Sequence, residues 1–327
     1  MAVPLDYRGA FYMKKFAMLG KWHVHAPGYA RELNGLPDCK ISKVWDPDEA
    51  VAQSWAEELA CESASLENIF NDPAIEGVVI CNATCDHGPL ILQACKAGKA
   101  VFTEKVLTLS VKEAMSIKKA IEENGTRFAI SFPHFSEPAV LFALHAAQEG
   151  LLGSINYVRV RKAHNGASAN WLPPHFYDPN ACGGGAMIDL GAHPMYLICE
   201  ILKATPIQVQ SAFTDITGHG VEDNAVSLMT FAGGAVGVSE TGFVSADYPF
   251  MIEIGGDKGT LLLKNNAVSY CCKETKHQWV SAETLPDPLP SPLAQWATAS
   301  EPEDIPARLN IDAAIRLTHV MEMAYHR

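Results

Sequence analysis

The feature that most constrains this chain is a change of grammar near its middle. From residue 14 to residue 132, short apolar runs ("KKFAMLG", "KISKVWD", "EGVVICNA", "AVFTEK", "RFAISF") alternate with amphipathic stretches such as "PDEAVAQSWAEELA" and "SVKEAMSIKKAIEENG". Strands alternating with helices at this spacing build a parallel sheet covered on both faces. Beyond about residue 150 the apolar period drops to two, in "SINYVRVRKAH", "IQVQSAFTDI", "AVSLMTF", "AVGVSETGFV", "FMIEIGGD" and "TLLLKNNAVSYCCKE". Such runs, joined by turns containing Gly and Asn, are strands with one buried face. The fold class is therefore α/β. A doubly wound, Rossmann-type parallel sheet is expected in residues 1–133, and an α/β domain with a large, open, mainly antiparallel sheet in 134–327. The segment 164–204 falls between that sheet's first two strands. "LPDPLPSPL" reads as a surface loop, and "IDAAIRLTHVMEMAYHR" as a closing amphipathic helix that packs back on the first domain.

Composition narrows the function. With 327 residues and 48% hydrophobic content the chain can bury two cores. A net charge of −12 without any basic run argues against nucleic acid as a partner. No apolar run has the length of a membrane span. The opening "MAVPLDYRGAFYMKKFAMLG" lacks the charged-then-apolar order of a secretory signal. Nine cysteines without a CxxC pair are expected to stay reduced, which points to a cytoplasmic protein. Cys271 and Cys272 read as small hydrophobes of a strand.

Several positions carry chemistry. The first strand ends at Gly20, where a dinucleotide-binding fold places its phosphate turn. In "LGKWHVHAPGYA", Trp22 and His25 stand where the second and third glycines would fall. His23 and His25 either contact a ligand or pack at the turn. The second strand ends at Asp46, which suits either a ribose 2′-OH or the cap of the next helix. The segment "GGGAMIDLGAHP" (183–194) sets Asp189 and His193 four residues apart, one face of a continuous helix. Three glycines weaken a helix, so they are expected to let the backbone approach a ligand. An Asp/His pair at that spacing is also half of a metal site, but no third ligand accompanies it, and no metal is expected.

Three ordered segments make the chain resemble the Gfo/Idh/MocA oxidoreductases. The family's TPN-x-x-H segment corresponds to Asn82-Ala83-Thr84 and His87. Its AGKxVxxEKP segment corresponds to "AGKAVFTEKV", with Glu104 and Lys105. Its GGGxxxDxGxH pattern is matched by Gly183-Gly184-Gly185, Asp189, Gly191 and His193. "FMIEIGGDKGTLLL" resembles the family's strand–turn–strand near the C-terminus, and the likeness runs from residue 14 onward. The departures are the glycine-poor turn, Asn82-Ala83-Thr84 in place of TPN, Val106 where the family has an often-cis proline, and Pro194 after the histidine. A cis bond without proline costs about 2.5–4 kcal/mol, and Pro194 is expected to interrupt the helix near Leu190.

The resemblance implies oxidation of a secondary hydroxyl on a sugar, cyclitol or glycoside, with hydride transfer to a nicotinamide. Lys105, Asp189 and His193 match the family's catalytic positions, with His193 expected as base, Asp189 orienting its ring or hydrogen-bonding a substrate hydroxyl, and Lys105 favouring the alkoxide. Cofactor contacts are expected from Gly20, Trp22, His23, Val24, Asp46, Asn82, Ala83, His87, Glu104 and Lys105. NAD is expected over NADP, because Asp46 repels a 2′-phosphate. Substrate contacts are expected from His134, His164, Trp171, His175, Asp189 and His193, with Tyr177 and Asp178 joining Trp171 in a sugar platform. Two other readings follow: an NAD-retaining glycosidase or lyase working by transient oxidation, and a non-catalytic sensor of nucleotide or sugar. Retention of the three catalytic positions weighs against the sensor. A homodimer or homotetramer through the second sheet would cover its open face.

Overall fold

The computed structural model describes residues 13–326. The reading of the N-terminal stretch as free of a secretory signal falls partly on residues 1–12, outside them.

The first sheet has strands β1 (Lys14–Leu19), β2 (Cys39–Trp45), β3 (Glu62–Ser63), β4 (Ile75–Ile80), β5 (Ala100–Thr103) and β6 (Phe128–Ile130). They pair in parallel in the order β3-β2-β1-β4-β5-β6, the order of dinucleotide-binding folds. Helices α1 (Ala26–Gly35), α2 (Glu49–Leu59), α3 (Leu66–Phe70), α4 (Thr84–Lys96) and α5 (Val111–Asn124) cover its faces. Sandwiched strands must be apolar on both sides, and β4 and β5 are buried almost throughout. The chain order reverses between β1 and β4, so a crevice opens at their carboxyl ends, where Gly20 and Asn82 lie.

After α6 (Pro138–Gln148) the second sheet begins with β7 (Ile155–Ala163). The segment that follows carries the short α7 (Pro179–Cys182), the single turn α8 (Ala186–Asp189) and α9 (Ala192–Leu202). Then come β8 (Gln208–Thr214), β9 (Asn224–Thr230), β10 (Val236–Gly242), β11 (Met251–Gly256), β12 (Gly259–Lys264), β13 (Ala267–Cys272) and β14 (Val280–Ser281). The eight strands run β14-β13-β12-β11-β7-β10-β9-β8, antiparallel except for β10 on β7. Helix α9 packs across β7 and β10. On β9 the residues Ala225, Ser227 and Met229 point into that interface, while Val226 and Leu228 alternate outward.

Two C-terminal helices bring the chain back to the first sheet. In α10 (Pro292–Thr298) Trp296 lies against Phe16 and Phe102, with ring centroids 5.1 and 5.8 Å apart. Helix α11 (Ile311–Ala324) touches α5 and β6 on one side and α9 and β8 on the other, tying the two sheets together.

Candidate active site

Lys105 ends the strand-to-turn segment after β5, and the Lys105–Val106 peptide is cis. His87, one turn into α4, is buried beside this bend. Its Nδ1 lies 3.0 Å from the Val106 carbonyl oxygen and its Nε2 3.2 Å from that of Asn82. Expected as a cofactor contact, His87 has backbone carbonyl oxygens against both ring nitrogens, and its single N–H donates to one of them and braces the bend.

Across the cleft, the glycine-rich segment is held by the protein itself. Gly183 closes α7 in a left-handed conformation (φ 86°). A Cβ on Gly184 would collide with the Tyr325 hydroxyl, and one on Gly185 with the Glu222 carbonyl oxygen. The Glu222 carboxylate accepts the N–H groups of Gly185 and Met187, both at 2.9 Å, and the Tyr325 hydroxyl at 2.5 Å. Close approach is what the glycines permit, but the neighbour is this protein's own chain. Glu222 and Tyr325 lie far away in sequence, and sequence reasoning missed both.

The helix is interrupted near Leu190, where Pro194 was expected to interrupt it, so Asp189 and His193 do not share one regular helix. The helix breaks at Leu190–Gly191, and Pro194 lies in the first turn of α9, where a missing N–H costs nothing. Asp189 therefore pairs with Lys105, whose Nζ donates to Asp189 Oδ1 at 2.5 Å and to the Asp189 carbonyl oxygen at 2.9 Å. His193 takes a different partner, the Tyr196 hydroxyl, 3.2 Å from its Nδ1. Burial alone would raise the Asp189 carboxyl, but the charge and hydrogen bond of Lys105, with His23 and His25, together outweigh it and the group lies below its usual value. Burial, reinforced by His134 and Lys105, holds His193 well below the usual imidazole range.

These groups line a cavity of about 460 Å³ between the two sheets. Of the expected site residues, His23, Val24, Lys105, His134, His164, Trp171, Asp189 and His193 face it. His164 stacks on Phe243 at 5.0 Å and lies 4.6 Å from the half-exposed Trp171. Sequence reasoning did not single out Glu137 or Lys162, which also face the cavity. Burial lowers the Lys162 ammonium from its usual value, against the opposing pull of Glu137. The rest of the expected sugar platform turns away: Tyr177 stacks on His219 at 3.8 Å, and the Asp178 carboxylate caps α7. His175 is likewise absent from the cavity lining. Its ring and that of Phe176 pack on Trp22 at 4.6 and 5.1 Å, so Trp22 links the first domain's turn to the second domain's loop.

Gly20 is left-handed (φ 80°), and a Cβ there would strike the Asn82 side chain. The buried Asn82 Oδ1 has no partner of its own. In the first turn of α1 the Ala26 N–H donates to the His23 carbonyl oxygen at 3.0 Å and Pro27 carries no N–H. Asp46 accepts the Lys21 backbone N–H at 2.8 Å and the Asp48 N–H at 3.0 Å, and stays partly exposed. Asp48, not Asp46, caps α2. A tight glycine turn and a carboxylate at the end of β2 suit a dinucleotide. Ala83 precedes α4 without making a side-chain cap.

Glu104 is buried below this turn. Its carboxylate meets His25 Nδ1 at 2.7 Å, the Tyr29 hydroxyl and the Lys105 N–H at 3.1 Å. It is fixed by the protein and not open to a cofactor. Burial would raise it, yet His23, His25 and Lys105 together bring it well below the usual carboxylate range. Among the described residues, His23, His25 and Glu104 bring ligand-type atoms within 4.8 Å of one another. The Glu104 oxygens are already engaged in these hydrogen bonds.

Residues 14–132 match the family model described as "Oxidoreductase family, NAD-binding Rossmann fold", and residues 140–262 match that of the GFO/IDH/MocA C-terminal domain. Among curated relatives, the scyllo-inositol 2-dehydrogenase (NAD(+)) of Bacillus subtilis is 28% identical over 71% of this chain and 68% of its own. The inositol 2-dehydrogenase of Rhizobium meliloti is 24% identical over 77% and 76%. Among solved structures, GenD2 from gentamicin A biosynthesis in complex with NAD superposes with a TM-score of 0.81 at 23% identity, covering 100% of this chain and 97% of that one. The aldose–aldose oxidoreductase of Caulobacter crescentus gives the same TM-score at 17% identity, covering 96% and 97%. The cavity between the two sheets, with Lys105, Asp189 and His193 on its wall, thus lies in a chain that belongs to the GFO/IDH/MocA family of oxidoreductases, its first half an NAD-binding Rossmann domain.

Proposed function

We propose that the protein oxidises a secondary hydroxyl of a cyclitol or sugar with NAD as hydride acceptor. The observation that carries this is the Lys105–Asp189 ion pair facing a cavity that His134, His164 and His193 also line. Oxidising an alcohol removes a hydride and a proton; bound NAD supplies the hydride acceptor, and the protein must supply the rest. The Lys105 ammonium, fixed by Asp189, favours negative charge on the reacting oxygen. The imidazoles are held neutral by burial, so each keeps a ring nitrogen without a proton. Trp171 offers an aromatic wall for the C–H face of a ring.

Asp46 supports NAD over NADP. It is already bonded to the turn, and among the described residues the Lys21 ammonium beside that turn pairs with Glu58 at 2.5 Å, so it is engaged where a 2′-phosphate would need a cation.

The test is to incubate the protein with NAD and, separately, NADP against scyllo-inositol, myo-inositol, aldoses and aryl glycosides, following NADH and bond cleavage in the same vials. NADH from a polyol or aldose, with NAD favoured, is expected. Cleavage without NADH would replace this reading by transient oxidation, and no turnover of any compound would leave a binding protein.

A further inference from the structure

A second hollow borders the active-site cavity. Its volume is about 520 Å³, and His134, Glu137 and Lys162 stand in the walls of both. The rest of its wall belongs to the second domain: the start of α6, Phe250 before β11, Asn265 and Asn266 in the β12–β13 turn, and Leu285 of the proline-rich loop. That loop is pinned beside the hollow, where the Ser136 hydroxyl donates to the Pro290 carbonyl oxygen at 2.8 Å and the Leu289 N–H to the Ser136 carbonyl oxygen at 3.2 Å. Neither the glycine turn nor the β5 bend contributes to the wall. A nicotinamide and the ring it oxidises must share the first cavity, beside Lys105, Asp189 and His193. The second hollow is left for whatever that ring carries.

The chemistry of the wall says what this is. Lys162, near the end of β7, holds its ammonium 5.5 Å from the Phe250 ring centroid and donates no hydrogen bond among the described residues. It brings three N–H donors to the border of the two spaces. Glu137 Oε1 lies 2.7 Å from His134 Nδ1, while its Oε2 accepts no hydrogen bond among the described residues. Asn265 and Asn266 add exposed amides, each both donor and acceptor. Phe250 and Leu285 supply apolar surface between these polar groups. Donors and acceptors set around an aromatic ring suit a molecule with hydroxyls on its rim and C–H groups on its faces. One ammonium stands against one carboxylate, so an anionic group gains no net charge from this place.

We propose that the substrate is a two-ring polyol, a disaccharide or glycosylated cyclitol. Its reacting ring lies in the first cavity, and its second, uncharged sugar ring lies in the hollow against Phe250, held by Lys162, Glu137 and Asn266. This deepens the oxidoreductase reading above and rests on it, with hydride and proton transfer kept beside Lys105, Asp189 and His193. Lys162, in the walls of both spaces, is then a specificity residue that reads the link between the rings.

Titration calorimetry on the protein saturated with NADH tests this without turnover. The probes are myo-inositol against its galactoside, glucose against maltose and cellobiose, and the uronate analogue of cellobiose. At least one two-ring compound should bind about 10-fold or more tighter than its single ring, and the uronate should gain nothing further. Asn266→Trp fills the hollow from an exposed turn, so it should remove that gain and leave single-ring binding unchanged. Lys162→Met should weaken two-ring binding by about 10-fold. Equal affinity or no binding across every pair, or a gain that survives Asn266→Trp, would overturn the proposal. Tighter binding of the uronate would overturn the uncharged second ring. A two-ring gain abolished by Asn266→Trp, in a protein that oxidises no alcohol, would uphold the hollow as a sugar site and overturn the oxidoreductase reading alone.

Discussion

Lys105 Nζ stands 2.5 Å from Asp189 Oδ1, so the end of the first sheet's β5 segment is locked to the break between α8 and α9. The pair is largely buried, with 2% and 19% of the two side chains exposed. Breaking a buried pair leaves one charge uncompensated at a cost of about 3–5 kcal/mol, whereas replacing both partners is far milder. Stability and chemistry can therefore be separated. Lys105→Met should lower both the melting temperature and kcat, the latter by about 10²–10⁴-fold. Lys105→Met with Asp189→Leu should regain much of the stability and none of the turnover. Recovery of turnover in the double variant would show that the pair only braces the cleft.

The glycine segment makes a second prediction. Since a Cβ on Gly184 meets the Tyr325 hydroxyl, Gly184→Ala should destabilise by about 1–3 kcal/mol through overpacking. Adding Tyr325→Leu should return part of that loss, read as melting temperature. A Gly184→Ala protein that melts normally but binds NAD poorly would mean that the glycine faces the cofactor after all.

Much of the fold was legible because its signals are periodic. Alternation over "AVSLMTF" or "SINYVRVRKAH" specifies a strand with one buried face, and the helices between β1 and β6 declare parallel pairing. β3 and β14 were not legible: two residues have no period. The site was legible as a set of residues and much less as a set of partnerships. Lys105 meets Asp189 across 84 positions of sequence, and Glu222 reaches the glycines through chain pairing that no local pattern encodes. Glu137 was within reach, three residues after His134, where a carboxylate can meet an imidazole within one turn. Asp189 and His193 take separate partners because the i, i+4 argument holds only within one regular helix, and the interruption expected from Pro194 falls between them, at Leu190–Gly191.

The outer face of the second sheet predicts self-association. Val226 and Leu228 on β9 are 43% and 42% exposed. Beside them Arg159 pairs with Glu240 at 3.0 Å and with Glu253 at 3.8 Å, and Arg161 with Glu240 at 3.7 Å, so the charges of this face are largely compensated within it. Apolar positions next to self-neutralised charge suit burial against a second copy. A dimer or tetramer is expected by light scattering at micromolar concentration, with Val226→Asp plus Leu228→Asp giving a folded monomer. A wild-type monomer at that concentration would refute it.

The histidines set the acid limit of the fold. Burial, opposed by Glu104 and aided by Lys105, lowers His23 to about 4, and burial likewise lowers His87, His134 and His193. In the unfolded chain each titrates near 6.5, so as pH falls below that value the unfolded state binds protons that the folded state refuses. Stability is thus full above about pH 6.5 and lost progressively below it, for His23 alone by about 3 kcal/mol once pH reaches 4. Asp189 and Glu104, held below their usual values, cost stability only at lower pH, where unfolded carboxylates begin to protonate. Melting temperature should therefore fall steadily from pH 6.5 to pH 5, before any carboxylate matters. His23→Gln should flatten that slope, because an amide adds no proton to the unfolded chain. A melting temperature constant from pH 7.5 to pH 5 would mean that these rings already hold their protons in the folded state, and the neutral imidazoles on which the chemistry depends would go with it.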